Sequence, residues 1–430
     1  MRVQKHTRVS IGEKMTKKIK VLTLSDHPLF STGVAIQTKM FIEAMLQTGK
    51  FEFVSLAGAQ KHRDMSPIKT EQYGEDWKIF PVEGYGNIET MRSVMRTERP
   101  DIVWLMTDPR FYEWLWKIED EVRAQASMVY YHVWDNDPAP HYNKKFYDSN
   151  DLVVSISKLT ERVVNEVGTK AKHLRIPHTV DETVFNILPQ EEVAEFKKEH
   201  FGEDDKTLFF WNNRNAPRKN VTTLLWWFKE FLDEVGHDKA SLLVHTDPSD
   251  PMGTDLEANL KQLGLQDGQV MLSNLKYPAD RMAMLYNVSD CTINISDAEG
   301  FGLATLESMA CGTPILVNET GGLSEQIRDS DNEHGIGIKP ATRTIIGSHR
   351  VPYIYQDRIS KEDFISGLKK FHSMTEEERT RLGQLGHNHV VRNYNSKDFS
   401  DSWEKALTNI YKTKGSWKNR KHQNWEIIEL

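Results

Sequence analysis

The sequence predicts an α/β fold of two doubly wound, Rossmann-like domains that face each other across a cleft. Short apolar, β-branched runs alternate with longer stretches of helical period, the pattern of parallel sheets covered by helices on both faces. The alternation breaks at a charged stretch near residue 190 and then restarts. At 430 residues, 38% of them hydrophobic, the chain exceeds what one ordinary core organises.

In the first half the strand candidates are KIKVLTLSD (18–26), FEFVSLAG (51–58), DIVWLMTD (101–108), MVYYHVW (128–134), DLVVSIS (151–157) and HLRIPH (173–178). The second half offers TLFFWNN (207–213), SLLVHT (241–246), QVMLSN (269–274), CTINIS (291–296) and TPILVN (313–318). Between them, NILPQEEVAEFKKEHFGEDDK (186–206) reads as a charged helix and a polar turn, where few core contacts need cross. The expected organisation is a flexible basic leader over 1–17, a first domain over 18–190 and a second over 191–395. A final helix over 396–412 is expected to pack near the hinge, followed by a basic and aromatic tail over 413–430. The aromatic stretch RFYEWLWKIEDEV (110–122) reads as a helix against the sheet, whose Trp114 and Trp116 cannot share one side.

Composition narrows the function classes. A net charge of −7 argues against wholesale wrapping of nucleic acid, because phosphate neutralisation needs a basic surface. Two cysteines, Cys291 and Cys311, give neither a disulfide framework nor a zinc site and read as reduced structural thiols. No run is long and apolar enough to span a bilayer, and the leader lacks the apolar segment of a secretory signal. The expectation is a soluble cytoplasmic protein without stable membrane insertion. No signal for an oligomeric state is present.

The stretch DAEGFGLATLESMACGTPIL (297–316) carries the chemistry. Gly300 and Gly302 demand a turn after the strand, and the helix from Leu303 stops at Gly312 and Pro314. Its first amides point back into the cleft, where unpaired donors and the positive helix end suit a phosphate. With Leu303 at zero, Glu307 falls roughly 40° around the helix, bordering the apolar stripe of Leu306 and Ala310. No Lys or Arg lies within helical reach of it, so hydrogen-bond donors must come from elsewhere in the chain or from a ligand diol such as a nucleotide ribose. Glu299, eight residues earlier, stands at the mouth of the turn and can reach hydroxyls on whatever the phosphate carries.

EGFGLATLESMACGTPIL resembles the E-x7-E signature of the retaining nucleotide-sugar glycosyltransferases of family 4, whose fold is GT-B. The resemblance extends over roughly residues 18–395. It implies that Arg214 and Lys219, in WNNRNAPRKNVTTLLWWF, contact the donor diphosphate, although Asn213 replaces the usual glycine. It implies a donor-side loop at Gly33 in SDHPLFSTGVAIQT, here with a single glycine. His132, with Asp135 close behind, is implied to face the transferred sugar and to neutralise charge there. KHLRIPHTVDETVF matches the interdomain segment at Val180, Asp181 and Phe185, with His178 and Thr179 in place of Asn-Gly. Gly321, Gly322 and Glu325 are implied to border the donor base and sugar.

The favoured reading is therefore a retaining glycosyltransferase that moves a sugar from a nucleoside diphosphate to an acceptor hydroxyl. Arg214, Lys219 and the amides of Gly300, Phe301, Gly302 and Leu303 would stabilise the diphosphate, Glu307 would hold ribose and Glu299 the sugar. No cofactor is expected beyond the nucleotide-sugar substrate, and no Asp-x-Asp stands where a metal would bridge the phosphates, so metal-independence is expected. A nucleotide-sugar epimerase and a non-catalytic nucleotide-sugar-binding protein are the alternatives on the same fold. The acceptor, glycan, lipid or DNA bearing a hydroxylated base, falls to the first domain. The basic ends, Arg2, Lys5, Arg8, Lys14, Lys17, Lys18 and Lys20, then Lys412, Lys414, Lys418, Arg420 and Lys421, would fit an anionic acceptor surface.

Overall fold

Strand Ile102–Met106 (IVWLM) is apolar throughout, and every one of its residues is buried. Such a strand needs cover on both faces, and the computed structural model supplies it with two layered α/β domains. The model describes residues 17–60, 64–202, 206–266, 268–330, 332–417 and 419–420.

The first sheet has eight strands in the order 68–69, 77–83, 51–60, 19–26, 102–106, 127–132, 152–155, 172–175. All pair in parallel except the two-residue edge Ile68–Lys69. The second sheet has six parallel strands in the order 270–273, 240–245, 207–212, 291–294, 315–318, 336–338. Strand order reverses beside Ile19–Asp26 in the first sheet and beside Thr207–Asn212 in the second, and crevices open at the carboxyl ends of such strands. The loops 213–220 and 295–302 leave the second sheet there.

Several features depart from the sequence reading, the unread strand Ile336–Ile338 among them. Strand Trp77–Glu83 was not anticipated, because Lys78 and Pro81 interrupt its apolar run. An antiparallel hairpin, Thr342–Ile346 with Ile354–Arg358, likewise went unread, since its first strand is exposed along its whole length. The segment 110–122 is not one helix: it breaks into a 3-10 turn Pro109–Tyr112 and two short turns, Glu113–Trp116 and Glu119–Arg123. Trp114 and Trp116, both within the turn Glu113–Trp116, pack on the same apolar cluster, contrary to expectation.

The chain crosses between the sheets through 176–202, which contains helix Gln190–Phe201. It then returns, because helix Ser396–Lys414, expected near the hinge, lies on the first domain. Trp403 is fully buried there against Phe41, Trp104 and Tyr131. One apolar cluster consequently runs from Phe41 and Trp403 through Ile176, Val180 and Phe185 to Tyr286 and Leu306 in the second domain.

Three residues of the basic ends are engaged internally, whereas Lys17 and Lys412 are exposed. Lys18 pairs with Asp76 at 2.7 Å, and Lys20 lies between Glu98 and Glu52 at 3.2 and 3.3 Å. Arg420 is buried and bonds Asp151 at 2.6 Å, so it is withdrawn from any anionic acceptor surface. Arg2, Lys5, Arg8, Lys14, Lys418 and Lys421 lie outside the described residues.

Helix Glu376–Asn393 packs so closely on the end of helix Leu303–Ala310 that a Cβ at Gly383 would stand 1.9 Å from the Gly312 carbonyl oxygen. Gly383→Ala should therefore lower stability by about 2 kcal/mol despite the better helix propensity of alanine. A thermal midpoint equal to or above that of the unchanged protein would show that these helices are not in backbone contact.

Candidate active site

The second sheet builds one wall of the cleft from its two loops at the switch point. They are laced together: the Asp297 amide donates to the Arg218 carbonyl at 2.8 Å, and an Arg218 guanidinium N–H donates to the Ala298 carbonyl at 2.8 Å. Asn220 Nδ2 donates to the Ile295 carbonyl at 3.0 Å. The 3-10 turn Pro217–Lys219 then aims Lys219 inward.

Lys219 is buried and its Nζ donates to Glu299 Oε2. Arg218 lies 3.8 Å from the same Glu299 oxygen and 3.7 Å from Asp135 Oδ2, which belongs to the first domain. Burial alone would raise the Glu299 pKa, but Lys219 and Arg218 outweigh it and hold the carboxyl below the usual range.

Helix Leu303–Ala310 begins after Gly302, whose φ of 91° places it in the left-handed region. Among the described residues none of the amides from 300 to 304 donates a backbone hydrogen bond, so the loop and helix start present a row of unused donors. The Phe301 side chain is instead spent on packing, between His178 and Tyr394 at ring distances of 5.0 and 5.6 Å.

Glu307 is half-buried and finds its donor within the protein. The Tyr286 hydroxyl donates to Oε2 at 2.8 Å, and Asn212 Nδ2 donates to that hydroxyl at 2.8 Å. Burial pushes the Glu307 pKa up to about 7 and the tyrosine bond only partly opposes it. Oε1 has no partner among the described residues and remains available as an acceptor.

The first domain closes the other side. Gly33 opens helix Gly33–Gln47 opposite Leu303, and a Cβ there would stand 3.1 Å from Leu303 Cδ1. Asn136 Nδ2 donates to Asp357 at 2.9 Å, and the Tyr355 amide donates to the Asp137 carbonyl at 2.6 Å. Loop 134–142 is thereby fixed against the second domain.

The structure thus brings together Gly33, Lys219, Glu299, Gly300, Phe301, Gly302, Leu303 and Glu307. Two expected residues need correction. Arg214 turns outward, 64% exposed in its side chain, and bonds Asp250 at 3.1 Å instead of joining the cluster. His132 is wholly buried, with Nε2 2.9 Å from the Tyr147 hydroxyl, and burial drives its pKa down to about 3. It is neutral and cannot neutralise charge in the cleft. Glu325 also departs from expectation, since Oε2 accepts from the Lys158 amide at 2.9 Å and so caps helix Lys158–Val167 across the domains.

Residues 192–371 match the family model described as glycosyl transferases group 1. The match covers the second domain, less than half of the chain. The fold of the chain is GT-B, with family 4 glycosyltransferases among its matches. N-acetyl-alpha-D-glucosaminyl L-malate synthase of Bacillus anthracis is 29% identical over 206 residues, 46% of this chain and 50% of that protein. The chain spans about half the length of the curated relatives it matches first. Sucrose-phosphate synthase of Thermosynechococcus elongatus shares the fold at 15% identity and a TM-score of 0.73, over 92% of this chain and all of that one, 100%. Anabaena HepE in complex with UDP-glucose does so at 15% identity and 0.67, over 91% and 100%.

Sequence reasoning missed Arg218, Tyr286 and Asn212. Arg218 adjoins Lys219 and was legible as a cation, whereas Tyr286 reaches Glu307 from a helix 21 residues upstream and gave no signal.

Glu307 in the folded protein holds its proton more tightly than an ordinary glutamate, so its contribution to stability falls as pH rises from the usual range of 4.5 through about 7. Glu307→Gln removes that titration. The variant should match the unchanged protein near pH 5 and exceed it by about 1–3 kcal/mol near pH 8. Parallel denaturation curves at both pH values would show the carboxyl to be well solvated.

Proposed function

We propose that this protein transfers a sugar from a nucleoside diphosphate to an acceptor hydroxyl with retention of anomeric configuration. The observation that carries the reading is Glu307, its second oxygen unused, beside free amides at 300–304, the buried Lys219 and the partly exposed Arg218. A carboxylate and a row of amides in one cleft fit a ribose diol joined to a diphosphate.

In the proposed reaction the C1–O bond to the diphosphate breaks and its electron pair stays on the phosphate oxygen. Lys219, Arg218 and the amides stabilise that charge as it develops. The acceptor oxygen then bonds C1 on the face the diphosphate leaves, and its proton passes to the departing diphosphate oxygen. Glu299 orients the sugar hydroxyls, so the protein supplies position and charge and no nucleophile is required. The proposed reaction needs no divalent metal.

The acceptor side of the proposal rests on the loops that follow strands 19–26, 77–83 and 102–106. Phe30 and Phe111 are exposed there, and Tyr85 stacks on Phe111 at 4.6 Å. Asp26 accepts from the Tyr85 and Thr32 hydroxyls at 2.9 and 2.7 Å, and Asp108 pairs with Arg110. Aromatic faces among carboxylates suit a neutral, hydroxyl-rich glycan or glycolipid head better than a polyanion such as modified DNA. Among the described residues no helix is long and apolar enough to cross a membrane. Cys291 and Cys311, both free and buried, fit the cytoplasmic setting that we include in the proposal.

Calorimetry with UDP, GDP, ADP and TDP tests the donor site. One diphosphate should bind selectively, and Glu307→Ala and Lys219→Ala should each weaken it by about tenfold or more. Arg218→Ala should cost more than Arg214→Ala; the reverse order would mean that Arg214 leaves Asp250 for the phosphates. If none binds, or binding ignores Glu307 and Lys219, the reading fails.

With the matching nucleotide sugar and a hydroxyl acceptor, turnover should survive excess chelator and the product anomer should match the donor by NMR. Loss of turnover in chelator, or an inverted anomer, would overturn those two parts. Isomerised donor formed without any acceptor would replace transfer by epimerisation.

A further inference from the structure

Behind the donor loop three side chains of metal-binding type converge. Asp329 lies in the turn after the short helix Leu323–Gln326, and His334 closes that turn before strand Ile336–Ile338. His389 reaches them from helix Glu376–Asn393. Their ligand-capable atoms all lie within 4.8 Å of one another.

The spacing is close to what a metal demands. His334 Nε2 stands 3.2 Å from Asp329 Oδ2, and His389 Nδ1 stands 3.8 Å from the same oxygen. Two ligands of one tetrahedral zinc, each about 2.0–2.1 Å from the metal, lie about 3.3 Å apart. The imidazoles stack at 4.2 Å, so their nitrogens present side by side. Small adjustments would bring all three atoms onto one ion.

Burial and hydrogen bonding point the same way. His334 is only 3% exposed and His389 5%. Neither ring nitrogen of His334 has a hydrogen-bond partner among the described residues, a cost of about 1–3 kcal/mol for a group shut away from water. His389 Nε2 lies 3.1 Å from the Glu325 carbonyl oxygen, which can only accept. The proton therefore sits on Nε2 and the Nδ1 lone pair is directed toward Asp329, the outer contact usual for a metal-bound histidine. Asn393 Nδ2 lies 3.1 Å from that Nδ1 and would yield to a metal while keeping its bond to the His389 carbonyl at 3.0 Å.

We propose that Asp329, His334 and His389 bind one divalent transition-metal ion of the zinc class, with water as fourth ligand. Two imidazoles and one carboxylate favour such an ion over calcium or magnesium, which take oxygen. The ion clamps Asp329 and His334 to helix Glu376–Asn393. The same helix 323–326 carries Gln326, whose Nε2 donates to the Phe301 and Gly302 carbonyls at 2.7 and 3.0 Å. The clamp therefore supports the donor loop from behind and takes no part in transfer; it stands or falls independently of the proposed reaction.

The test uses the full chain, freed of any affinity tag and stripped with chelator. Zn2+ is titrated against a competing chromophoric chelator, and Co2+ is followed by visible absorption. One equivalent should bind, Co2+ should show the intense bands of a four-coordinate ion, and Zn2+ at about a hundredfold excess over Kd should raise the thermal midpoint by about 5–10 °C. His334→Ala and Asp329→Asn should each weaken binding by at least about tenfold, and the exposed His237→Ala should leave it unchanged. Absence of stoichiometric binding at micromolar Zn2+ overturns the proposal, as does undiminished binding in both site variants. The titration of the unchanged protein decides the matter alone if a variant fails to fold.

Discussion

The site depends on a steric constraint: loop 299–302 is pressed against other backbones with no room for a side chain at Gly300 or at the facing Gly321. A Cβ at Gly321 would stand 1.9 Å from the Glu299 carbonyl oxygen and 2.8 Å from that of Asp135, and one at Gly300 would stand 2.7 Å from the Trp134 carbonyl oxygen. The Gly322 amide donates to the Glu299 carbonyl at 2.8 Å, which fixes the layer in register. The carbonyls are consumed on these flanks, while the amides of 300–304 donate no backbone hydrogen bond among the described residues. The glycines were read as bare ground for a phosphate, yet their missing side chains mainly admit other parts of the protein.

That layer also explains how the two domains are held. Phe301 inserts between His178 and Tyr394, and the His178 ring accepts or donates at 2.9 Å to the Tyr131 hydroxyl of the first sheet. Thr179 beside it donates to the Tyr394 carbonyl at 2.6 Å and is gripped by Gln37 from the helix that starts at Gly33. The interdomain segment, the donor loop and the first helix therefore share one buried seam. The exposed hairpin adds a second fastening at Asn136 and Asp357, far from that seam in sequence.

Legibility followed physical range. Parallel strands such as Ile102–Met106 were plain in the sequence because both faces are buried, and helix Leu303–Ala310 was plain because glycine and proline bound it. Glu307 was correctly expected to border the apolar stripe and to need a donor from outside its own helix. The identity of that donor, Tyr286, was out of reach, since no local pattern links residues on different helices. Arg214 and His132 failed for a related reason. Their positions in the chain were right for a cleft, but Asp250 captures one and the Tyr147 side of the first core encloses the other. Residue type and spacing locate a backbone, while the direction a side chain takes is set by partners distant in sequence.

The charges of the cleft are balanced internally, and that balance bears on how the donor is engaged. Lys219 is buried against Glu299, and Arg218 lies within 3.8 Å of Glu299 and 3.7 Å of Asp135. Each cation thus already has an anion, which keeps a buried lysine tolerable where an unpaired one would shed its proton. A diphosphate entering beside the amides of 300–304 would compete with Glu299 for both cations. Glu299 would then be released toward the sugar hydroxyls it is proposed to hold, so neutralising the leaving group and orienting the sugar become one coupled step. Asp135 ties this exchange to the position of the first domain, since its distance to Arg218 is set by the closure of loop 134–142 on the hairpin. Under the proposed reaction, donor binding and domain closure would be linked through these four side chains.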